Sequence, residues 1–153
     1  MPDSTVFVFT YGNKGRGAFL ITNDKGDHLC EITDIPNDDN ECEPFEADWE
    51  SAIKALEFID KNRSSLNVEG KLNIKIFTTF EQVYRTTSGI TKEVQPDIQE
   101  KFLNRFDSLR TTLQSKNIIG KQHNKLMSFW VPKEFYNKMD EVISHVKRSK
   151  PRP

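Results

Sequence analysis

Residues 6–21 read VFVFTYGNKGRGAFLI, which is two apolar runs separated by a turn rich in glycine. The first run, over residues 6–10, is β-branched and aromatic without alternation, a pattern typical of a central strand that is buried on both faces. Residues 11–17 predict the turn, and residues 18–22 predict a second strand. The Asn, Asp and Gly of the segment NDKGD then predict a hairpin into a third strand over residues 28–33. The chain is therefore expected to begin with a three-stranded antiparallel meander.

The segment that follows predicts a loop and then a helix. Residues 34–44 contain two prolines and a cluster of acids, which favours a loop. Three carboxylates then stand near a predicted helix N-terminus, where negative charge is favoured: Glu46, Asp48 and Glu50. The apolar residues of this helix recur at a spacing of three and four, which gives it one buried face: Trp49, Ala52, Ile53, Leu56 and Ile59.

The middle of the chain predicts a strand and two further helices. The strand has the period of two that is typical of one wetter face: Leu72, Ile74 and Ile76 alternate with Asn73 and Lys75. A short helix is predicted to begin near Phe80, with Val83 and Tyr84 facing inward. Pro96 stands where a helix can begin, and the apolar stripe that follows it is long: Ile98, Phe102, Phe106, Leu109 and Leu113.

The end of the chain predicts one more strand and one more helix. Residues 126–131, LMSFWV, predict the strand. The helix has an amphipathic stripe made of Phe135, Met139, Val142, Ile143 and Val146. The predicted order is βββαβααβα, which indicates an α/β fold with a five-stranded mixed sheet, three antiparallel strands and then two more, flanked by helices.

The length of 153 residues suits one domain. We assign residues 1–147 to this domain and residues 148–153 to a basic flexible tail. Only two cysteines occur, Cys30 and Cys42, and the N-terminus lacks the pattern of a secretory leader. Both observations favour a reducing compartment, the cytoplasm or the nucleus. The sequence contains no run of ~18 apolar residues, so we expect no membrane association.

Charge is distributed unevenly along the chain. Residues 1–50 carry three Lys or Arg against twelve Asp or Glu, residues 51–100 carry seven of each, and residues 101–153 carry twelve against four. Such a gradient is typical of a nucleic-acid footprint at one end, and equally of two halves that complement each other in the fold. The candidate phosphate-binding residues are Lys116, Lys121, Lys125, Lys133, Lys147, Arg148, Lys150 and Arg152.

The order of elements resembles the ribonuclease H-like fold, and four strings resemble type 1 ribonuclease H. VFVFTYGNKGRGAFLI resembles the opening hairpin, in which a strand ends in Thr-Asp-Gly-Ser. FEADWESAIKALEFI resembles the helix that begins Arg-x-Glu-Leu and ends Ala-Leu-Glu. KIFTTFEQVYRTTSGI resembles the strand and turn that read Thr-Asp-Ser-x-Tyr-Val, and LMSFWVPKEFYNKMDEVISHV resembles the final strand and helix. Together the strings span nearly the whole chain.

The resemblance implies a catalytic site with altered residues. Tyr11 replaces the first catalytic Asp, Asp48 stands at the catalytic Glu with Glu46 as a possible substitute, and Thr79 stands at the second Asp. Asp140 matches the last acid. The family's chemistry needs two Mg²⁺ ions held by carboxylates, whereas Tyr11 and Thr79 offer neutral hydroxyls. We therefore expect no catalysis, no bound metal and no small-molecule cofactor.

The favoured hypothesis from sequence is a catalytically inactive ribonuclease H-like domain. It would act as a binding or assembly module for a protein partner, for RNA or an RNA/DNA hybrid, or for both. Two alternatives stay open. One is an active metal-dependent nuclease that uses Glu46 or Asp48, Asp140 and a relocated acid such as Asp24 or Glu81. The other is a protein-only adaptor or subunit of a larger complex.

Overall fold

The computed structural model describes residues 3–36 and 41–132, with residues 33, 34 and 36 described by their backbone alone. The predicted last helix, the basic tail and Asp140 lie outside the described residues. Five strands form one sheet: β1 (Ser4–Asn13), β2 (Arg16–Asn23), β3 (His28–Pro36), β4 (Leu72–Thr78) and β5 (Leu126–Trp130). Their order across the sheet is β3-β2-β1-β4-β5.

The strand directions confirm the mixed sheet that the sequence predicted. β1 pairs antiparallel with β2, and β2 pairs antiparallel with β3. β4 runs parallel to β1, and β5 runs parallel to β4. The three parallel strands therefore begin at the same end of the sheet, at Ser4, Leu72 and Leu126. We name this end, which runs across the strands, the amino edge. They end at the opposite edge, at Asn13, Thr78 and Trp130, which we name the carboxyl edge.

The first turn is shorter than predicted. β1 continues through Asn13, which pairs with Arg16, so that Lys14 and Gly15 alone form the turn. Gly15 has φ of +73°, the left-handed conformation that glycine adopts without a steric penalty. The prediction of a turn over residues 11–17 was wrong because cross-strand pairing extends β1 through residues whose composition favours a turn.

The third strand is also longer than predicted, since β3 runs through Pro36 into the predicted loop. β3 is an edge strand of the sheet. Proline lacks a backbone N–H and is tolerated at a sheet edge, where one side of the strand has no neighbour to pair with. The prediction of a loop from residue 34 onward was therefore wrong for the first residues of that segment.

The described helices follow the predicted stripes. They are α1 (Pro44–Lys61), α2 (Glu81–Thr87), α3 (Pro96–Ile98) and α4 (Asn104–Ser115), with a π-helical turn over Gln99–Leu103 and 3₁₀ turns over Arg63–Leu66 and His123–Lys125. α1 begins with a capping box in which the Glu43 side chain accepts from the backbone N–H three residues on, while the Glu46 side chain accepts from the Glu43 N–H.

The core lies between the sheet and the helices. Val6 and Val8 of β1 are fully buried against the apolar face of α1. Trp49 of α1 is itself fully buried and stacks on Phe102, with ring centroids 5.6 Å apart, while Phe106 meets it edge-on at 6.3 Å. These contacts confirm the two longest predicted helices, because their stripes meet where the periodicity placed them.

The other face of the sheet carries a row of aromatic rings, Phe9, Phe77 and Phe129, from three adjacent strands. Phe77 stacks on Phe9 at 5.3 Å and on Phe129 at 5.4 Å between ring centroids. Among residues 3–36 and 41–132, no helix has both the length and the apolar composition needed to cross a membrane.

Candidate functional site

The N-terminal part of α1 lies close to the end of β1, and a glycine in β1 makes this approach possible. A Cβ atom on Gly12 would lie 2.0 Å from the carbonyl oxygen of Pro44 and 2.5 Å from the backbone nitrogen of Asp48. No side chain larger than hydrogen fits at that distance. The contact places Asp48 directly above the carboxyl edge of the sheet.

The carboxyl group of Asp48 is completely buried and has no charged partner among the described residues. Its Oδ2 atom accepts a hydrogen bond of 2.6 Å from the hydroxyl of Thr78. Its Oδ1 atom is buried without a hydrogen-bond partner in the part of the chain that the structure describes. Burial raises the pKa of Asp48 to about 6, against the opposing effect of the Thr78 and Thr10 hydroxyls.

Thr10 and Thr78, which surround Asp48, were not among the predicted site residues. Each directly precedes a residue that the family resemblance singled out, Tyr11 or Thr79. Their position follows from strand alternation, because Thr10 shares a face with Val6 and Val8, which are buried against α1. Alternation was the available signal in the sequence, and motif matching did not use it.

Tyr11 points to the opposite face of the sheet from Asp48. It packs with Ala18 and Leu20 in a separate small cluster, and burial raises its pKa above the usual value. Thr79 follows the end of β4 and is half-buried. The structure therefore does not bring Tyr11 beside Asp48, and Asp140 lies outside the described residues.

Trp130 lies at the carboxyl edge, on the same face of the sheet as Asp48. It is the register partner of Thr78 in the pairing of β4 with β5, so its side chain shares a face with the hydroxyl that binds Asp48. Its indole Nε1–H donates to the carbonyl oxygen of Thr79 at 3.2 Å, and the side chain is 43% exposed. A partly exposed aromatic residue thus lies on the strand next to the one that carries Thr78, the hydrogen-bond partner of Asp48.

Solved structures with this architecture cover nearly all of the chain. LC11-RNase H1 in complex with an RNA/DNA hybrid is 20% identical, covers 94% of this chain and 98% of its own, and has a TM-score of 0.64. Ribonuclease H1 from Halobacterium salinarum is 13% identical over 97% and 100% of the two chains, with a TM-score of 0.64. The chain has the ribonuclease H fold. No protein-family model and no curated protein sequence matches it.

A third structure extends the comparison to a domain of a larger protein. The N-terminal ribonuclease H domain of rv2228c from Mycobacterium tuberculosis is 15% identical over 90% of this chain and 95% of its own, with a TM-score of 0.62. In each of these comparisons the identity is low, so what the likeness establishes is the ribonuclease H fold.

The prediction that this chain is not an enzyme is contradicted by these neighbours. Three structures that share its ribonuclease H fold over nearly the full length are of ribonuclease H1 proteins. Neutral side chains at Tyr11 and Thr79 are thus an insufficient reason to exclude nuclease activity. The physical reason is that Tyr11 faces away from Asp48, so its identity does not report what surrounds the buried carboxylate.

Glu46, Glu81 and Asp24, the other described acids that were proposed from sequence, form no metal-binding group with Asp48. Glu46 closes the capping box of α1, and Glu81 on α2 is exposed and pairs with Arg85 at 2.9 Å. Asp24 lies in the turn after β2, which is at the amino edge because Val6 pairs with Asn23. The described residues contain no group of three or more His, Cys, Asp or Glu placed to hold a metal ion.

The described residues alone do not supply the ligands for the two Mg²⁺ ions that ribonuclease H chemistry uses. Mg²⁺ prefers several anionic oxygens in near-octahedral geometry, whereas the described site offers one buried carboxylate and two neutral hydroxyls. What the described residues can do is hold a carboxyl group whose protonation changes near neutral pH.

The predicted phosphate-binding residues are only partly described. Lys116 pairs with Asp60 at 2.7 Å, and Lys125 pairs with Asp3 at 3.3 Å. These two lysines and the exposed Lys121 lie near the amino edge, where Leu72 N–H donates to the Ile118 carbonyl oxygen. They are therefore at the opposite end of the sheet from Asp48. Outside the described residues lie Lys133, Lys147, Arg148, Lys150 and Arg152.

Proposed function

We propose that this chain binds RNA-containing duplex nucleic acid at the carboxyl edge of its sheet. The observation that carries the proposal is the fold: LC11-RNase H1, solved in complex with an RNA/DNA hybrid, covers 94% of this chain. Within that fold, the carboxyl edge holds an acid that is buried without a charged partner among the described residues, and a tryptophan that is 43% exposed.

The burial and raised pKa of Asp48 support the carboxyl edge as a functional site. Moving a carboxyl pKa from 3.8 to about 6 costs roughly 3 kcal/mol of folding free energy when the group is ionised. A burial of this cost, with one oxygen left without a partner among the described residues, is a feature that clusters at binding and catalytic sites.

The path of the chain supports the same edge. The backbone N–H of Val131 donates to the carbonyl oxygen of Thr78 at 3.0 Å, so the chain leaves the sheet at the carboxyl edge. The sequence after Pro132 carries six Lys or Arg against three Asp or Glu. Positive charge in this segment would contact phosphates through a sequence-independent, salt-sensitive attraction.

The test is a titration of labelled duplexes of one sequence, as RNA/DNA hybrid, double-stranded RNA and double-stranded DNA, followed by fluorescence anisotropy. The expected result is binding of at least one RNA-containing duplex, with an affinity that falls steeply between about 50 and 200 mM salt. Absence of any anisotropy change at the lower salt concentration overturns the proposal.

A matched pair of charge reversals locates the surface. Lys133→Glu alters the segment that follows the carboxyl edge, whereas Lys121→Glu makes the same change at the amino edge. Loss of one phosphate contact lowers the slope of log affinity against log salt by about 1, and we expect that change for Lys133→Glu alone. The opposite ranking would move the binding surface to the amino edge.

A second candidate function, a metal-dependent nuclease, is favoured by the position of Asp48. The sequence resemblance puts this residue at the position of the family's catalytic Glu, and its Oδ1 has no partner among the described residues. The test is incubation of a labelled RNA/DNA hybrid with Mg²⁺ or Mn²⁺. Cleavage that disappears in both Asp48→Asn and Asp140→Asn supports this candidate, and cleavage that survives in both points to a contaminating enzyme.

A further inference from the structure

Trp130 is an exposed aromatic ring that the buried-acid site does not use. We propose that Trp130 is a stacking platform for an unpaired base, located in a single-stranded overhang next to the duplex. This inference rests on the proposed binding of RNA-containing nucleic acid at the carboxyl edge. It adds that the ligand has an unpaired base, which Trp130 recognises.

The indole ring is oriented by one hydrogen bond. Its Nε1–H donates to the Thr79 carbonyl oxygen at 3.2 Å, so the polar group of the side chain is satisfied within the protein. Trp130 as a whole residue remains 43% exposed. Trp49, by contrast, is fully buried and stacked on Phe102, so the two tryptophans of the chain have opposite environments.

The backbone that carries the ring is also held firmly. β5 is in register with β4 up to the pair Thr78 and Trp130, and the Val131 N–H continues the pairing by donating to Thr78 O. The preceding residue, Phe129, stacks on Phe77 at 5.4 Å. A ring on such a support loses little conformational freedom when a ligand packs on it.

The location favours a nucleic-acid base as the occupant. Aromatic side chains beside a nucleic-acid path act as platforms because every base has a π-face, and this recognition tolerates any sequence. Bases inside a duplex are already stacked on both sides, whereas an unpaired base offers a free face. Trp130 ends β5, an outermost strand of the sheet, at the carboxyl edge. An unpaired base in an overhang that extends past the duplex could therefore stack on its ring.

Tryptophan fluorescence gives a direct test in the whole protein. An RNA/DNA hybrid with a short single-stranded overhang is titrated into the wild-type chain and into Trp130→Phe, in which Trp49 is the remaining emitter. We expect the overhang to quench wild-type emission strongly, to leave Trp130→Phe emission nearly unchanged, and to exceed the effect of the blunt hybrid.

Affinity measured on a labelled nucleic acid supplies a second readout with a matched control. Trp130→Ala is expected to weaken binding of the overhang substrate by about tenfold or more, and Trp130→Phe is expected to retain most of it. Met127 on the same strand is 38% exposed near the amino edge, and Met127→Ala is expected to bind as the wild type does.

The outcomes separate the inference from the function on which it rests. Unchanged affinity in Trp130→Ala, with unchanged wild-type emission on binding, overturns the stacking platform and leaves duplex binding intact. Equal effects with blunt and overhang hybrids overturn the choice of an unpaired base. Absence of binding by the wild-type chain removes both proposals.

Discussion

Asp48 is ionisable, fully buried and without a charged partner in the described part of the chain, and its pKa of about 6 makes folding depend on pH. The folded pKa lies above the unfolded value of 3.8, so the native state binds the extra proton between these values. Stability from this group is therefore greatest below about pH 4 and falls as the pH rises to about 6. Above that pH the cost is constant.

Replacing the acid by its neutral isostere removes this cost. Asp48→Asn is expected to raise the free energy of unfolding by up to about 3 kcal/mol at pH 7 to 8, and to change it little near pH 4. Urea unfolding of both proteins across this pH range measures the difference. A stabilisation that is equal at pH 4 and pH 8, or a loss at both, would show that Asp48 does not titrate as described.

At the scale of elements, periodicity predicted the strands and helices, and pairing determined where they end. The apolar stripe that begins at Trp49 and the one that follows Pro96 each run over several helical turns. The buried faces of these two helices could therefore be predicted from the spacing of apolar residues alone. The ends of β1 and β3 did not, because turn-like composition at residues 11–17 and 34–36 does not reveal that a neighbouring strand extends the pairing.

The candidate site was predictable only in part, for a related reason. Matching motifs located Asp48, which the structure places at the carboxyl edge, and it also selected Tyr11 and Thr79. The hydroxyl that donates to Asp48 belongs to Thr78, and Thr10 is the second residue whose hydroxyl lowers the pKa of Asp48. The solvent exposure of Trp130 had no sequence signal, because it depends on where β5 ends relative to the surrounding elements.

The approach of α1 to β1 depends on Gly12, and a small substitution tests it. Gly12→Ala places a methyl group within 2.0 Å of the Pro44 carbonyl oxygen, so α1 must shift outward. We expect a loss of stability of about 1–3 kcal/mol, or more, from overpacking. Chemical denaturation measures the loss.

Gly89→Ala is the matched control for this substitution. A Cβ atom there has no neighbour within 4 Å, although the φ of +75° is unfavourable for alanine. The expected cost is that of the backbone alone, about 1 kcal/mol. Equal losses in the two variants would mean that the close contact between β1 and α1 is not tight.

At the scale of the whole molecule, the charge gradient along the sequence is partly cancelled by the fold. Arg105 binds Glu50 through two hydrogen bonds of 2.8 Å. Lys125 pairs with Asp3, which is a second ion pair between a basic residue of the C-terminal third and an acidic residue of the N-terminal third. The described part of the C-terminal third therefore supports the interpretation of complementary halves, while the basic residues after Pro132 remain the candidates for phosphate contact.

The central claim is that the carboxyl edge is the nucleic-acid surface, and amide chemical-shift mapping tests it most directly. An RNA/DNA hybrid is titrated into the isotopically labelled chain. The account predicts shifts at Gly12, at Thr79 and at the backbone and indole N–H of Trp130, with little change at Leu72 and Lys121. Shifts confined to the amino edge, or none at any concentration, would contradict it.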